Sequence, residues 1–158
     1  MGLRPSPQGL DLPGLRGICT QQPAGIRQKA VVQRRIPILV YSDLEASYGH
    51  LTQVFGLGEG DLARDEDGVA VHGEVRAGDG PIWLHRESGE YRLSSPRNSQ
   101  SSTAMVAVIV EDVDSHFANT RELGADIVYE PVDQSYGYRE YGARDPEGHL
   151  WSFMTPLD

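Results

Sequence analysis

The sequence is poor in cysteine and has no long apolar run. Cys19 is the single cysteine among 158 residues, which excludes an internal disulfide and the Cys-rich zinc motifs. No segment approaches the roughly 18 consecutive apolar residues of a membrane span, and the N-terminus lacks the apolar core of a signal peptide. A cytoplasmic location without a membrane partner is therefore expected. Basic residues are sparse beyond the first 35 positions. Arg4, Arg16, Arg27, Lys29, Arg34 and Arg35 face only Asp11 there, a net +5, which leaves −14 on residues 36–158 given the overall −9. A body this acidic repels phosphates, so no nucleic-acid partner is expected, and a neutral or cationic small ligand suits it better.

The length fits one domain. Residues 1–35 carry five glycines and four prolines with no helical or strand period. Such a segment buries too little apolar surface to offset its ordering entropy, so it reads as an extension outside the fold. From Ile36 the chain is patterned. Ile36–Tyr41 is a β-rich run, Ser42-Asp43 offers a helix cap, and Leu44, Tyr48, Leu51 and Phe55 recur at helical spacing. Residues 61–67 are acidic and turn-like. Val69–Val75 and Pro81–Arg86 then read as two strands of a hairpin. Residues 87–102 are rich in serine and read as a linker.

The second half repeats the first. Met105–Val110 is a strand, Asp112 or Asp114 caps a helix with Val113, Phe117 and Leu123 on its apolar face, and Ile127–Tyr129 is a short strand before Pro131. Asp145-Pro146-Glu147-Gly148 is a turn, because Pro fixes φ and Gly accepts a left-handed conformation cheaply. His149–Thr155 then forms a strand, with Trp151 and Phe153 on one face and Leu150, Ser152 and Met154 on the other. Asp43 and Asp112 lie 69 residues apart, and Gly56 and Gly124, like Gly80 and Gly148, 68 apart. Matching punctuation indicates one supersecondary unit used twice.

The Arg-Asp-Pro-Glu-Gly-His hairpin running into Leu-Trp-Ser-Phe resembles the last hairpin of the glyoxalase, bleomycin-resistance and extradiol-dioxygenase superfamily, the vicinal oxygen chelate fold. The resemblance spans about residues 36–155, and the Tyr-Gly-x-Arg-x-Tyr lead-in is most similar to its bleomycin-resistance and PhnB-like branch. It implies an α+β domain of two βαβββ modules, 36–86 and 103–155, whose curved sheets enclose a cavity, and commonly a homodimer. Metal-using members take four ligands from facing strands. The positions this implies here are Ile36, Trp83, Met105 and Ser152, and none carries an ordinary metal ligand.

The expectation is therefore no metal, no cofactor and no catalytic residue, although a glyoxalase-like lyase or isomerase or a dioxygenase stays open as the alternative. The implied activity is binding of a hydrophobic or planar small molecule, neutral or cationic, as in antibiotic-sequestering resistance proteins. Trp83 is the leading binding residue, since an indole stacks on planar groups and attracts cations. His85 shares its face. Ile36, Ile38, Met105, Ala107 and Met154 complete the apolar lining, with Ser152 as a small polar gap and Tyr136 and Tyr138 placed to close over a ligand. Arg139 and Arg144 read as solvated or paired, Trp151 and Phe153 as helix packing, and His50, His72 and His116 as surface residues.

Overall fold

Two four-stranded sheets, each with a helix laid on it, account for most of the described residues. The computed structural model describes residues 32–158 apart from Asp79. The extension read over residues 1–35 thus lies, up to residue 31, outside the described residues. The first sheet contains β1 (Ile38–Tyr41), β2 (Gly58–Arg64), β3 (Ala70–Ala77) and β4 (Gly80–Arg86), in the order β1-β4-β3-β2, with α1 (Leu44–Gln53) following β1. A short helix, α2 (Pro96–Ser99), precedes the second sheet. That sheet contains β5 (Met105–Ile109), β6 (Asp126–Asp133), β7 (Tyr138–Arg144) and β8 (Leu150–Pro156), in the order β5-β8-β7-β6, with α3 (Val113–Glu122) following β5.

In both sheets the first strand runs parallel to the last and the remaining pairs are antiparallel. This is the βαβββ module used twice, in an α+β fold, as the repeated punctuation indicates. The registers agree residue by residue. Ile38 stands opposite Trp83 and Ala107 opposite Ser152, and each member of the second pair lies 69 residues beyond its counterpart. The helices also start alike, for Asp43 accepts from the Ala46 amide and Asp112 from those of Asp114 and Ser115. Each cap satisfies donors that the first helical turn leaves without intrahelical partners.

One core serves both modules. Leu39, Leu51 and Leu84 of the first share a buried cluster with Val113, Trp151 and Phe153 of the second. Phe55, just past α1, sits edge-on to both aromatics, 5.8 Å from the Trp151 ring centroid and 5.1 Å from that of Phe153. Burying such side chains stabilises by roughly 1.5–3 kcal/mol each, so each module depends on surface supplied by the other. Trp151 and Phe153 do pack inward, as their alternation with Ser152 requires.

Four local expectations change. The acidic residues 61–67 read as a turn, yet Gly58–Arg64 is an edge strand. Its apolar alternation is nearly absent because one face and one edge meet water, and Leu62 alone packs against the core. β6 extends through Pro131 rather than ending at Tyr129. It too is an edge strand, and Pro131 falls within a register shift between Tyr129 and Val132, where a missing N–H costs little. His116, read as a surface residue, is half-buried between the modules. Its Nδ1 lies 2.8 Å from the Tyr141 hydroxyl and its Nε2 3.1 Å from the Phe55 carbonyl, and burial lowers its pKa. His50 is likewise half-buried against the Phe55 ring.

Candidate functional site

The turn between β7 and β8 defines what the family-like motif does. Asp145 and Glu147 are buried and point into the first module. Asp145 Oδ2 accepts from the Tyr41 hydroxyl at 2.8 Å and the Trp151 indole at 3.2 Å, while Oδ1 accepts from the amides of Glu147 and His149. Glu147 accepts from the Ser42 amide and hydroxyl, the Asp43 amide and the Ser95 hydroxyl. His149 Nε2 lies 2.9 Å from the Val40 carbonyl. Burial alone would raise the pKa of Glu147, but the four donors outweigh it and hold it below the usual carboxylate range. Burial beside Asp145 raises that of Tyr41 well above its ordinary value. Asp145, Glu147 and His149 therefore form a clasp between modules and the linker, with every acceptor directed inward.

The open face of the first sheet, opposite the core, carries a different group. Ile82 and Leu84 are buried, so Trp83 and His85 alternate outward from β4 and meet His72 and Glu74 of β3, their cross-strand partners. The His72 ring stands edge-on to both, 5.3 Å from Trp83 and 5.1 Å from His85. Trp83 Nε1 donates to Glu74 Oε2 at 3.1 Å, which fixes the indole. Ile38 lies beside it on β1 and is 47% exposed. The structure thus brings Trp83, His85 and Ile38 together. It adds His72 and Glu74, whose placement depends on a register that sequence spacing left unspecified.

Ala107 and Met154 occupy the open face of the second sheet, together with Met105 and Ile109, which are 52% and 58% exposed, whereas Ser152, expected to meet a ligand, is buried with its hydroxyl donated to Glu140. Beside them is a carboxylate that the sequence reading passed over. Glu140 is only 6% exposed and accepts from the Tyr129 hydroxyl, Gln134 Nε2 and the Ser152 hydroxyl at 3.0–3.1 Å. The Tyr129 ring lies across Gly142, where a Cβ would overlap it. Tyr136 is exposed just before β7, and Tyr138 begins that strand, their rings 6.4 Å apart. Tyr141 is fully buried. Because both sheets turn their other faces to one shared core, the two groups of predicted residues stay on separate faces of the chain. Ile36 precedes β1 and joins neither strand face.

The strand registers also test the fit of a metal. Ile38 and Ala107, rather than Ile36 and Met105, stand beside Trp83 and Ser152. Ile38 and Ala107 offer no donor atom, the Trp83 N–H is committed to Glu74, and the Ser152 hydroxyl is committed to Glu140. These four positions do not fit a divalent cation. Among the described residues, no group of three or more His, Cys, Asp or Glu side chains converges in a metal-holding arrangement, and no helix is long and apolar enough to cross a membrane.

The fold, the duplicated register and the closing hairpin define the glyoxalase and bleomycin-resistance class. The model of the Glyoxalase/Bleomycin resistance protein/Dioxygenase superfamily matches residues 32–153, and the chain belongs to that superfamily. Among solved structures it is similar to TioX from Micromonospora sp. ML1, at 31% identity and a TM-score of 0.62 over 80% of this chain and 100% of that one. A glyoxalase-related enzyme from Clostridium phytofermentans shares the fold at 17% identity and a TM-score of 0.60, covering 82% of this chain and 99% of that one. An uncharacterised protein of Mycobacterium tuberculosis strain H37Rv is 25% identical over 124 residues, 77% of this chain and 73% of its own.

Proposed function

We propose that the chain binds a hydrophobic or planar small molecule against the open face of the first sheet, without a metal, as antibiotic-sequestering members of its class do. The observation that carries this reading is Trp83. Its N–H is tied to Glu74 and its edge is set by His72, so the ring is a preoriented stacking surface left half-buried rather than packed in the core. A fixed ring loses little freedom when a flat ligand stacks on it. Glu74 adds a carboxylate within reach of a cationic substituent. Ile38 on the first sheet and Met105 and Ile109 on the second are exposed apolar side chains on strand faces, and they support a homodimer in which a second copy covers these faces.

Isothermal titration of planar aromatic antibiotics tests the reading with wild type and Trp83→Ala. Binding by wild type that falls about tenfold or more in the variant is the expected result, corresponding to a loss of about 1.4 kcal/mol or more. No binder in the panel, or equal affinity in both proteins, rejects it. Metal analysis of protein purified without chelator addresses the enzyme alternative, where stoichiometric zinc, nickel, manganese or iron favours a lyase, isomerase or dioxygenase.

A further inference from the structure

A groove of about 760 Å³ lies where residues 96–105 meet the β7–β8 turn, away from Trp83, and Met105 is the one predicted binding residue that lines it. Pro96, Met105 and Leu150 give it apolar surface, and Arg97, Ser102 and Arg144 give it polar surface. The two guanidinium groups sit on carbonyls of the same turn. Arg97 Nη2 donates to Pro146 O at 2.9 Å, and Arg144 Nη1 to Gly148 O at 3.2 Å. Each carbonyl uses one of five N–H donors and leaves the rest of the fork available.

The two acids of the turn are directed elsewhere. Asp145 and Glu147 are saturated by donors of the first module, the linker and their own turn. Asp126 borders the groove opposite Arg144 in the β6–β7 register, yet neither Arg97 nor Arg144 makes an ion pair among the described residues. Arg139, on the same strand as Arg144, is by contrast held by Asp114 and Asp133 at 2.8 Å. In a chain of net charge −9, two arginines facing a hollow without carboxylate partners stand against the general balance.

We propose that this groove binds a small amphiphilic acid. Its carboxylate or phosphoryl group is received by the Arg97 and Arg144 forks, and its apolar body rests on Pro96, Met105 and Leu150. Guanidinium donors match both oxyanions in bidentate geometry, and a partly desolvated site strengthens the attraction. The buried carboxylates behind the turn and the Asp126 carboxylate at the border of the groove weaken it, so the apolar contact is a required part of the site.

Backbone NMR titration of the full chain with 1-naphthoate, 1-naphthyl phosphate and the neutral 1-naphthalenemethanol tests this. Naphthoate or naphthyl phosphate should shift amides of residues 100–105 and 144–150. Affinity should fall about tenfold in Arg144→Gln and in Arg97→Gln and fall again with added salt, while Trp83→Ala leaves it unchanged. The tighter of the two anions identifies the oxyanion class. Arg97 is exposed, so its variant carries the test if Arg144→Gln fails to fold. Read at the amides of residues 100–105 and 144–150, four results overturn the proposal: no binding of either anion, equal binding of the neutral alcohol at those amides, unchanged affinity there in the arginine variants, or shifts confined to the surroundings of Trp83. Loss of the Trp83 reading alone leaves this result intact, so failures of the two proposals are distinguishable.

Discussion

The two modules share a scaffold and differ at their last hairpin. In the first, the pairing of β3 with β4 runs up to Ala77 and Gly80. In the second, Arg144 pairs with Leu150 and five residues span the reversal. This second turn reaches the other module, where Tyr41, Ser42 and Asp43 receive its carboxylates. The open faces differ as well. The first presents aromatic and imidazole rings around Trp83, and the second an apolar strip beside a buried glutamate. The two modules share one frame, in which the second carries the joint between modules and the first a ring-lined surface.

The two tryptophans give the sharpest way to break this comparison. Trp151 is fully buried and contacts both modules, so Trp151→Ala should cost about 3–5 kcal/mol in urea unfolding. Trp83→Ala in the same assay should cost about 1 kcal/mol or less, because its ring is half-buried on a sheet face and lies outside the core cluster. Equal losses would show that the two sheets are not specialised as described.

The clasp comes next in size. Glu147→Ala leaves the Ser42, Asp43 and Ser95 donors without their acceptor and should destabilise by about 2–4 kcal/mol. Glu147→Gln retains an acceptor and should lose less. Because the folded state depresses the pKa of Glu147, its contribution is fully present above the unfolded glutamate value of about 4.3. It is lost as pH falls below that value through the folded pKa. Stability measured against pH should therefore decline on that acid limb in wild type and decline less in Glu147→Gln. A parallel decline in both proteins speaks against the clasp.

Smaller effects sharpen the second sheet. Gly142→Ala places a methyl group against the Tyr129 ring and should cost about 1–3 kcal/mol, releasing the hydroxyl that Glu140 accepts. Arg139→Ala removes exposed ion pairs with Asp114 and Asp133 and should change stability by about 1 kcal/mol or less.

Much of the frame is legible in the chain because its signals are local. The Asp-Pro-Glu-Gly turn, the Asp caps and the apolar alternation of β4 and β8 each act within a few residues. Gly148 does take a left-handed φ of +92°. β2 is hidden because an edge strand with a solvated face needs only Leu62 inside. The roles of His116, Glu140 and Glu147 depend on partners brought close by folding, such as Phe55 and Ser42, which no spacing reveals. The same holds for the arginine groove, since Arg97 and Arg144 lie 47 residues apart and meet only when residues 96–105 fold onto the turn.

The two indole N–H signals allow one measurement to address the central claim. In chelator-treated protein, an aromatic antibiotic that binds should move the Trp83 indole resonance and leave that of Trp151 in place, since Trp151 is sealed in the core and bonded to Asp145. Two unmoved resonances, or a Trp83 shift that appears only after a divalent metal is restored, would contradict metal-independent binding at the first sheet.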